Sequence, residues 1–155
     1  MSLKPLIDDS RKGVIPQDGE LVIKFTDVWF RYRKNQKSIL KNVNFELKQG
    51  EKIAIVGENG AGKSTLIKLI SRFYDPQKGK ITVNGVDLKE IDLAWWRGKL
   101  AVIYQDFEQY PFTAKEFIGY GYVSELSNLE KIVSVAKKTG IHKYINTLAK
   151  NTTLL

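Results

Sequence analysis

Residues 57–65 read Gly-Glu-Asn-Gly-Ala-Gly-Lys-Ser-Thr, and this stretch decides the fold. It matches the pattern G-x-x-x-x-G-K-[ST], whose glycines let the backbone wrap around a phosphate chain with several N–H groups pointing inward. The pattern predicts that Lys63 reaches the outer phosphates and that the Ser64 hydroxyl holds Mg²⁺. We therefore expect a phosphate-binding loop formed by Gly57, Glu58, Asn59, Gly60, Ala61, Gly62, Lys63, Ser64 and Thr65.

The residues on either side of the loop predict a strand before it and a helix after it. Residues 52–56 are a short, largely apolar run, typical of a strand buried on both faces. Apolar residues then recur at helical spacing, at Leu66, Ile67, Leu69, Ile70 and Phe73. Such a helix would point the positive end of its dipole at the phosphates. The alternative, a glycine-rich turn that binds nothing, does not explain the strand, the helix and the Lys-Ser pair together.

Length and composition are those of an ordinary globular domain, or of part of one. The chain has 155 residues and is 43% apolar, which is enough for a real core. It contains no cysteine, which excludes disulfides, thiolate zinc sites and thiol catalysis and fits a reducing compartment. No apolar run approaches the length of a membrane span, and the first residues lack the apolar core of a signal peptide.

The charge balance is basic, with 25 Lys and Arg against 17 Asp and Glu and a formal net charge of +8. A basic surface can attract nucleic acid, anionic lipid or nucleotide. The lysines are scattered through most segments, and the sequence has no arginine-rich arm and no zinc-finger or RNA-binding motif. This distribution favours an ordinary solvated surface, so no nucleic-acid partner is expected.

The first half of the chain predicts β-structure around the loop. Residues 1–20 lack periodicity and read as a leader or linker. From Leu21 to Phe25 apolar residues alternate, and residues 28–32 continue that strand or follow a bend; residues 43–47 alternate in the same way. Residues 81–83 form a short strand before Asn84-Gly85, a strong type I′ hairpin signal. Residues 100–104 predict another buried strand.

The last third of the chain predicts helices. Thr113 followed by Glu116 predicts a capped helix over residues 113–118. A second helix is expected over residues 128–139, closed by Gly140, and a third over residues 141–149.

Together these features resemble the nucleotide-binding domain of an ABC transporter. The resemblance rests first on the phosphate loop and on Val28-Trp29-Phe30-Arg31-Tyr32, which lies upstream of it. In the family an aromatic residue at the position of Tyr32 stacks on the adenine ring, since a flat π surface holds a purine without reading its edges. Packing of Tyr32 on a core is the structural alternative.

The resemblance also covers Gln105, which lies 42 positions after Lys63. It matches the glutamine of the family's Q-loop, which implies a catalytic role in contact with Mg²⁺ and the attacking water. The run from Thr113 to Gly121 resembles the exporter branch, where this region faces the transmembrane domain. The Trp95-Trp96 pair departs from exporter sequences; these side chains lie either in the core or under a partner.

Two motifs of the family are absent from the 155 residues: the L-S-G-G-Q signature, and the Walker B run that ends in Asp-Glu. The resemblance therefore implies an α/β fold with a P-loop NTPase core of the ABC ATPase type and an incomplete sheet. Residues 1–20 would be a leader, residues 21–112 the antiparallel β-subdomain and loop core through the Q-loop, and residues 113–155 the start of the helical subdomain. In the family the Walker B strand lies between the strands predicted at residues 52–56 and 100–104.

The resemblance implies an ATPase that couples ATP binding and hydrolysis to export across a membrane. Its cofactors would be ATP and Mg²⁺, and its partners a second nucleotide-binding domain and a transmembrane domain, at the cytoplasmic face of the cell membrane. The chain alone, a soluble fragment, would bind nucleotide and lack the catalytic glutamate. The alternatives are a soluble ABC-family ATPase acting on nucleic acid or the ribosome, a non-hydrolysing nucleotide-binding module, and another P-loop enzyme such as a nucleotide kinase.

Overall fold

A computed structural model describes residue 7 and residues 12–17, 19–103 and 112–147. The chain divides into two compact units, residues 1–103 and residues 104–155. The first unit contains the phosphate loop, and the second contains the helices predicted for the last third of the chain.

A four-stranded antiparallel sheet is the centre of the first unit. Its strands are β1 (Val22–Phe30), β2 (Leu40–Lys48), β3 (Lys78–Val83) and β4 (Val86–Asp87). Their order across the sheet is β2-β1-β3-β4, and every neighbouring pair is antiparallel. This confirms the antiparallel β-structure that the alternating residues predict. Helix α1 (Lys63–Ile70) follows the phosphate loop, and helix α2 (Leu93–Gly98) follows β4.

Two backbone details of the sheet bear on what the sequence predicts. Residues 28–30 continue β1 through a bulge, where Asp27 takes a φ of 49° and the register with β2 shifts. Between β3 and β4, Asn84 and Gly85 have φ values of 49° and 82°, as a type I′ turn requires. The predicted hairpin is therefore confirmed.

The core of the first unit lies between the sheet, α1 and α2. Its fully buried side chains include Phe25, Phe30, Leu69 and Trp96. Trp96 has no exposed surface, and its Nε1 donates to the carbonyl oxygen of Ile70 at 2.7 Å. Trp95 is partly buried and packs against the same cluster. Of the two places open to this pair, Trp96 therefore occupies the core, and Trp95 packs at its edge.

The strands predicted at residues 52–56 and 100–104 are not strands in the part of the chain described, which excludes residue 104. Among the described residues neither run pairs with a neighbouring strand, and a strand exists only where a ladder satisfies its backbone groups. Their side chains are correspondingly exposed, by 93% at Val56 and 86% at Ile103. The sheet is thus partial where the sequence predicts parallel strands.

Helix α1 is shorter than its apolar spacing predicts. It ends at Ile70, and Arg72 takes a left-handed φ of 50°, which stops the helix before Phe73. Phe73 is consequently outside the helix and 44% exposed.

The second unit contains α3 (Ala114–Gly119), a 3₁₀ segment (Tyr120–Glu125), α4 (Leu129–Lys138) and α5 (His142–Ile145). Thr113 and Glu116 form the predicted capping box, since the Thr113 hydroxyl accepts from the Glu116 N–H while Glu116 accepts from the Thr113 N–H. Asn128 caps α4, and Gly140 follows it with a φ of 78°. The third predicted helix is present but ends at Ile145, before residues 148–149, which lie outside the described residues.

Part of the leader is docked on the first unit. The Val14 N–H donates to the Glu90 carbonyl at 2.7 Å, and the Asp92 N–H donates to the Val14 carbonyl at 3.0 Å, which forms a short parallel bridge. A Cβ at Gly13 would lie 2.2 Å from the Asp92 nitrogen, so this approach requires glycine. Among the residues that the structure describes, no helix is both long and apolar enough to cross a bilayer.

Candidate nucleotide-binding site

The phosphate loop has the backbone geometry of an anion cradle. Gly60 and Gly62 take φ values of 85° and 92°, a region that side chains disfavour, and Gly62 is the N-cap of α1. Among the described residues no side chain caps this helix end, and its first turn carries no acidic residue. The first N–H groups of a helix have no intrahelical partner, so these donors suit an anion at the positive end of the dipole.

The loop rests on residues that the sequence did not single out. A Cβ at Gly62 would lie 2.8 Å from Cδ2 of Leu40 and 3.1 Å from Cγ2 of Ile39. Ile39 is in turn fixed by its N–H, which donates to the Phe30 carbonyl at 2.8 Å. The start of β2 thus supports the loop from behind, and a single apolar pair gives no sequence signal for that role.

The Lys63 ammonium folds back over the loop. Its Nζ donates to the carbonyl oxygens of Gly57 at 2.6 Å and Glu58 at 2.8 Å. Two of its three N–H donors are used in this way, which fixes the charge at the mouth of the loop. A phosphate held by the loop would meet this cation directly, and a charge-assisted contact of that kind is among the strong ones.

The two hydroxyl residues after Lys63 have different environments. Ser64 is exposed, as a side chain that binds a hydrated metal ion must be. Thr65 is buried, and its Oγ1 lies 3.2 Å from the hydroxyl oxygen of Tyr32. The structure therefore brings Tyr32 and the phosphate loop together, although Tyr32 and Thr65 are 33 positions apart in the sequence.

Tyr32 packs against aromatic neighbours and remains partly exposed. It makes edge-type contacts with Phe30, at 5.0 Å between ring centroids, and with Tyr74, at 5.1 Å. The Lys68 ammonium lies 5.6 Å from the ring centroid. The residue is 37% exposed, so it is not simply a core aromatic. The contributions of Tyr74 and Lys68 could not be read from the sequence, because both residues lie downstream of the loop and reach Tyr32 only through the fold.

The nine loop residues and Tyr32 thus occupy one region of the first unit. Gln105, the other residue assigned to catalysis and to Mg²⁺, lies outside the described residues, so its assignment remains a prediction. The residues present fit a nucleotide with its metal ion: an uncapped helix end, a fixed ammonium, an exposed hydroxyl and an accessible aromatic ring.

Comparison with known proteins gives a consistent result. Residues 40–154 match the family model of the ABC transporter. The chain is 36% identical over 149 residues to ATP-binding cassette sub-family B member 5 of Mus musculus, covering 95% of this chain and 12% of that protein. It is 38% identical over 144 residues to the mitochondrial iron-sulfur clusters transporter ATM1 of Candida glabrata, covering 93% of this chain and 19% of that protein. The chain spans less than a fifth of the length of these relatives.

A solved structure agrees with the sequence relatives. The fold matches a bacterial Atm1-family ABC exporter with ATP bound, at a TM-score of 0.84 and 29% identity, over 95% of this chain and 25% of that one. The α/β fold, with its partial sheet and its phosphate loop, is therefore that of an ABC ATPase. The chain belongs to the ABC transporter family.

Proposed function

We propose that the chain binds ATP with Mg²⁺ through the phosphate loop and Tyr32, as part of an ABC exporter. The observation that carries the proposal is the Lys63 ammonium, held at 2.6 and 2.8 Å by two carbonyls of a loop that leads into an uncapped helix. A fixed cation beside free N–H donors is suited to a polyphosphate.

Each residue has a defined part in this proposal. Lys63 binds the outer phosphates, and the loop from Gly57 to Thr65 surrounds them with backbone N–H groups. Ser64 and Gln105 hold Mg²⁺, which when bound offsets phosphate charge and orients the outer phosphates. Tyr32 stacks on adenine, and its partial exposure supports that role.

The wider role rests on the exporters that the chain resembles. In the complete polypeptide we propose an ATPase at the cytoplasmic face of a membrane, which works with a second nucleotide-binding domain and a transmembrane domain. ATP binding and hydrolysis there would drive export. The similarity to the mouse, yeast and bacterial proteins supports this assignment.

Hydrolysis by these 155 residues alone should be negligible. The sequence has no carboxylate at the end of an apolar strand to act as base, and no L-S-G-G-Q motif to complete a site in trans. Groups that stabilise a phosphoryl-transfer transition state contribute orders of magnitude in rate.

Calorimetric titration with ATP, with and without Mg²⁺, tests the proposal of ATP binding. A phosphate-release assay tests the proposal of negligible hydrolysis. We expect binding that strengthens with Mg²⁺ and no release above background. Failure to bind ATP would contradict the proposed site. Turnover that Lys63→Ala abolishes would contradict the proposal of an inactive fragment.

A further inference from the structure

The backbone before Tyr32 is held by a side chain rather than by the sheet. The Arg31 N–H donates to Oε1 of Gln77 at 2.7 Å, and Nε2 of Gln77 donates to the Arg31 carbonyl at 3.1 Å. The Gln77 N–H also donates to the Trp29 carbonyl at 3.0 Å. We call the two side-chain bonds between Gln77 and Arg31 the amide bridge.

The amide bridge replaces a rung that the sheet cannot form. The last pair of the β1–β3 ladder is Trp29 with Lys78, the Gln77 N–H bonds to the Trp29 carbonyl, and the residue before Gln77 is Pro76. Proline has no N–H, so a backbone ladder cannot continue there. The Gln77 side chain supplies one donor and one acceptor, as a peptide group does.

Tyr32 follows directly on this rung, and its ring position depends on the backbone that leads into it. Its hydroxyl is fixed at the other end by Thr65, at 3.2 Å. The bridge is therefore one of the contacts that hold the backbone leading into this ring. The Gln77 amide satisfies both backbone groups of Arg31, whereas a carboxylate lacks the donor and a thioether offers at most a weak acceptor.

We propose that Gln77 is a positioning residue for the purine: its amide bridge holds Tyr32 at the distance from the phosphate loop that ATP requires. This inference rests on the proposed function and adds to it a residue that acts only on the base half of the ligand. Its consequence is selective, because the bridge touches none of the groups that would hold phosphate.

The experiment compares ATP with inorganic tripolyphosphate, which has the phosphates but no base. In Gln77→Met we expect the dissociation constant for ATP to rise about three- to tenfold, and that for tripolyphosphate to stay within about twofold of wild type. Gln77→Glu keeps the acceptor and loses the donor, so it should also raise the dissociation constant for ATP. Thermal melts establish that each variant is folded at the titration temperature.

Gln49 provides a matched control. It is also a glutamine whose Oε1 accepts from a backbone N–H beside β1, that of Leu21 at 3.0 Å, but it lies at the opposite end of the strand. Gln49→Met should leave both dissociation constants at the wild-type values. An equal loss of ATP affinity in Gln49→Met and Gln77→Met would overturn the proposal, because it would reveal a general effect of loosening β1.

A double-mutant cycle with Tyr32→Ala separates positioning from mere stability. If Gln77 acts through the ring, Gln77→Met should cause no further loss of ATP affinity once Tyr32 is alanine. Additive losses would overturn the inference, as would wild-type ATP affinity in Gln77→Met. If Tyr32→Ala alone leaves ATP affinity unchanged, the proposed adenine platform is wrong and the inference falls with it. If Tyr32→Ala still binds tripolyphosphate normally, the proposal for the phosphate loop stands while that for the adenine platform does not.

Discussion

The Tyr32 hydroxyl lies 3.2 Å from Oγ1 of Thr65, so the residue proposed to hold the base touches the helix proposed to hold the phosphates. Thr65 is buried in the first turn of α1, two residues after Lys63. The contact fixes one end of the tyrosine ring while leaving part of the ring accessible. It thereby joins two sequence motifs into one site.

Removal of the Tyr32 ring should weaken ATP binding much more than removal of its hydroxyl. Tyr32→Ala loses the stacking surface, at a cost of about 1–3 kcal/mol in binding free energy. Tyr32→Phe keeps the ring and loses only the contact with Thr65, so a smaller loss is expected. Titration with a fluorescent ATP analogue measures both. Equal affinities for wild type and Tyr32→Ala would show that adenine binds elsewhere.

The glycine at the helix N-cap should be less tolerant of alanine than the glycine two positions before it. Both have left-handed φ values, but a Cβ at Gly62 would also lie 2.8 Å from Leu40, whereas a Cβ at Gly60 meets nothing within 4 Å. Gly60→Ala should cost about 1–2 kcal/mol in unfolding free energy, and Gly62→Ala more, because strain and a clash combine. Urea denaturation measures the difference. Equal costs would mean that the contact with Leu40 is unimportant.

The capping box of α3 should make the second unit sensitive to acid. The Thr113 N–H and hydroxyl both donate to Glu116 and hold the pKa of that carboxyl below its ordinary value of 4.5. The N–H makes the larger contribution and the hydroxyl the smaller one. Because the folded-state pKa is lowered, the stabilisation is present above the ordinary pKa and is lost as the pH falls through the folded value.

The substitution Thr113→Ala tests this assignment. It removes the hydroxyl and leaves the backbone N–H, so the pKa of Glu116 should rise part of the way towards its ordinary value. An NMR titration of the Glu116 carboxyl measures the change. An unaltered pKa in the variant would mean that the hydroxyl does not hold the carboxylate.

The isolated chain should self-associate through its exposed apolar runs. Val56 is 93% exposed and Ile103 is 86% exposed, in segments where unpaired backbone accompanies apolar side chains. Light scattering over a concentration series should show a rising mean mass, and Ile103→Lys should reduce it. A monomer that melts cooperatively at every concentration would contradict this expectation.

Local signals predicted most of the fold correctly, and signals that depend on distant partners did not. The Asn84-Gly85 turn and the Thr113 capping box are set by neighbouring residues, and both are present. Residues 52–56 have the apolar character of a buried strand, but a strand also needs neighbours, and among the described residues this run has none. Residue type alone therefore overpredicted strands.

The same distinction applies to the site. The phosphate loop could be identified from one run of residues because its glycines and Lys63 act through local geometry. The supports of Tyr32 could not, because Tyr74 reaches its ring, and Gln77 reaches the preceding Arg31 backbone, only after the chain has passed through the loop and α1. Helix α2 was not predicted from the sequence, although Asp92, which caps it, is a readable N-cap signal.

Titration of wild type and Lys63→Ala with a fluorescent ATP analogue tests the central claim most directly. The Lys63 ammonium is held at the mouth of the loop by Gly57 and Glu58, and its loss removes the charge that would meet the outer phosphates. The account predicts saturable binding by wild type, strengthened by Mg²⁺, and the loss of most of that affinity in a Lys63→Ala variant that remains folded. Equal binding by the two proteins would contradict it.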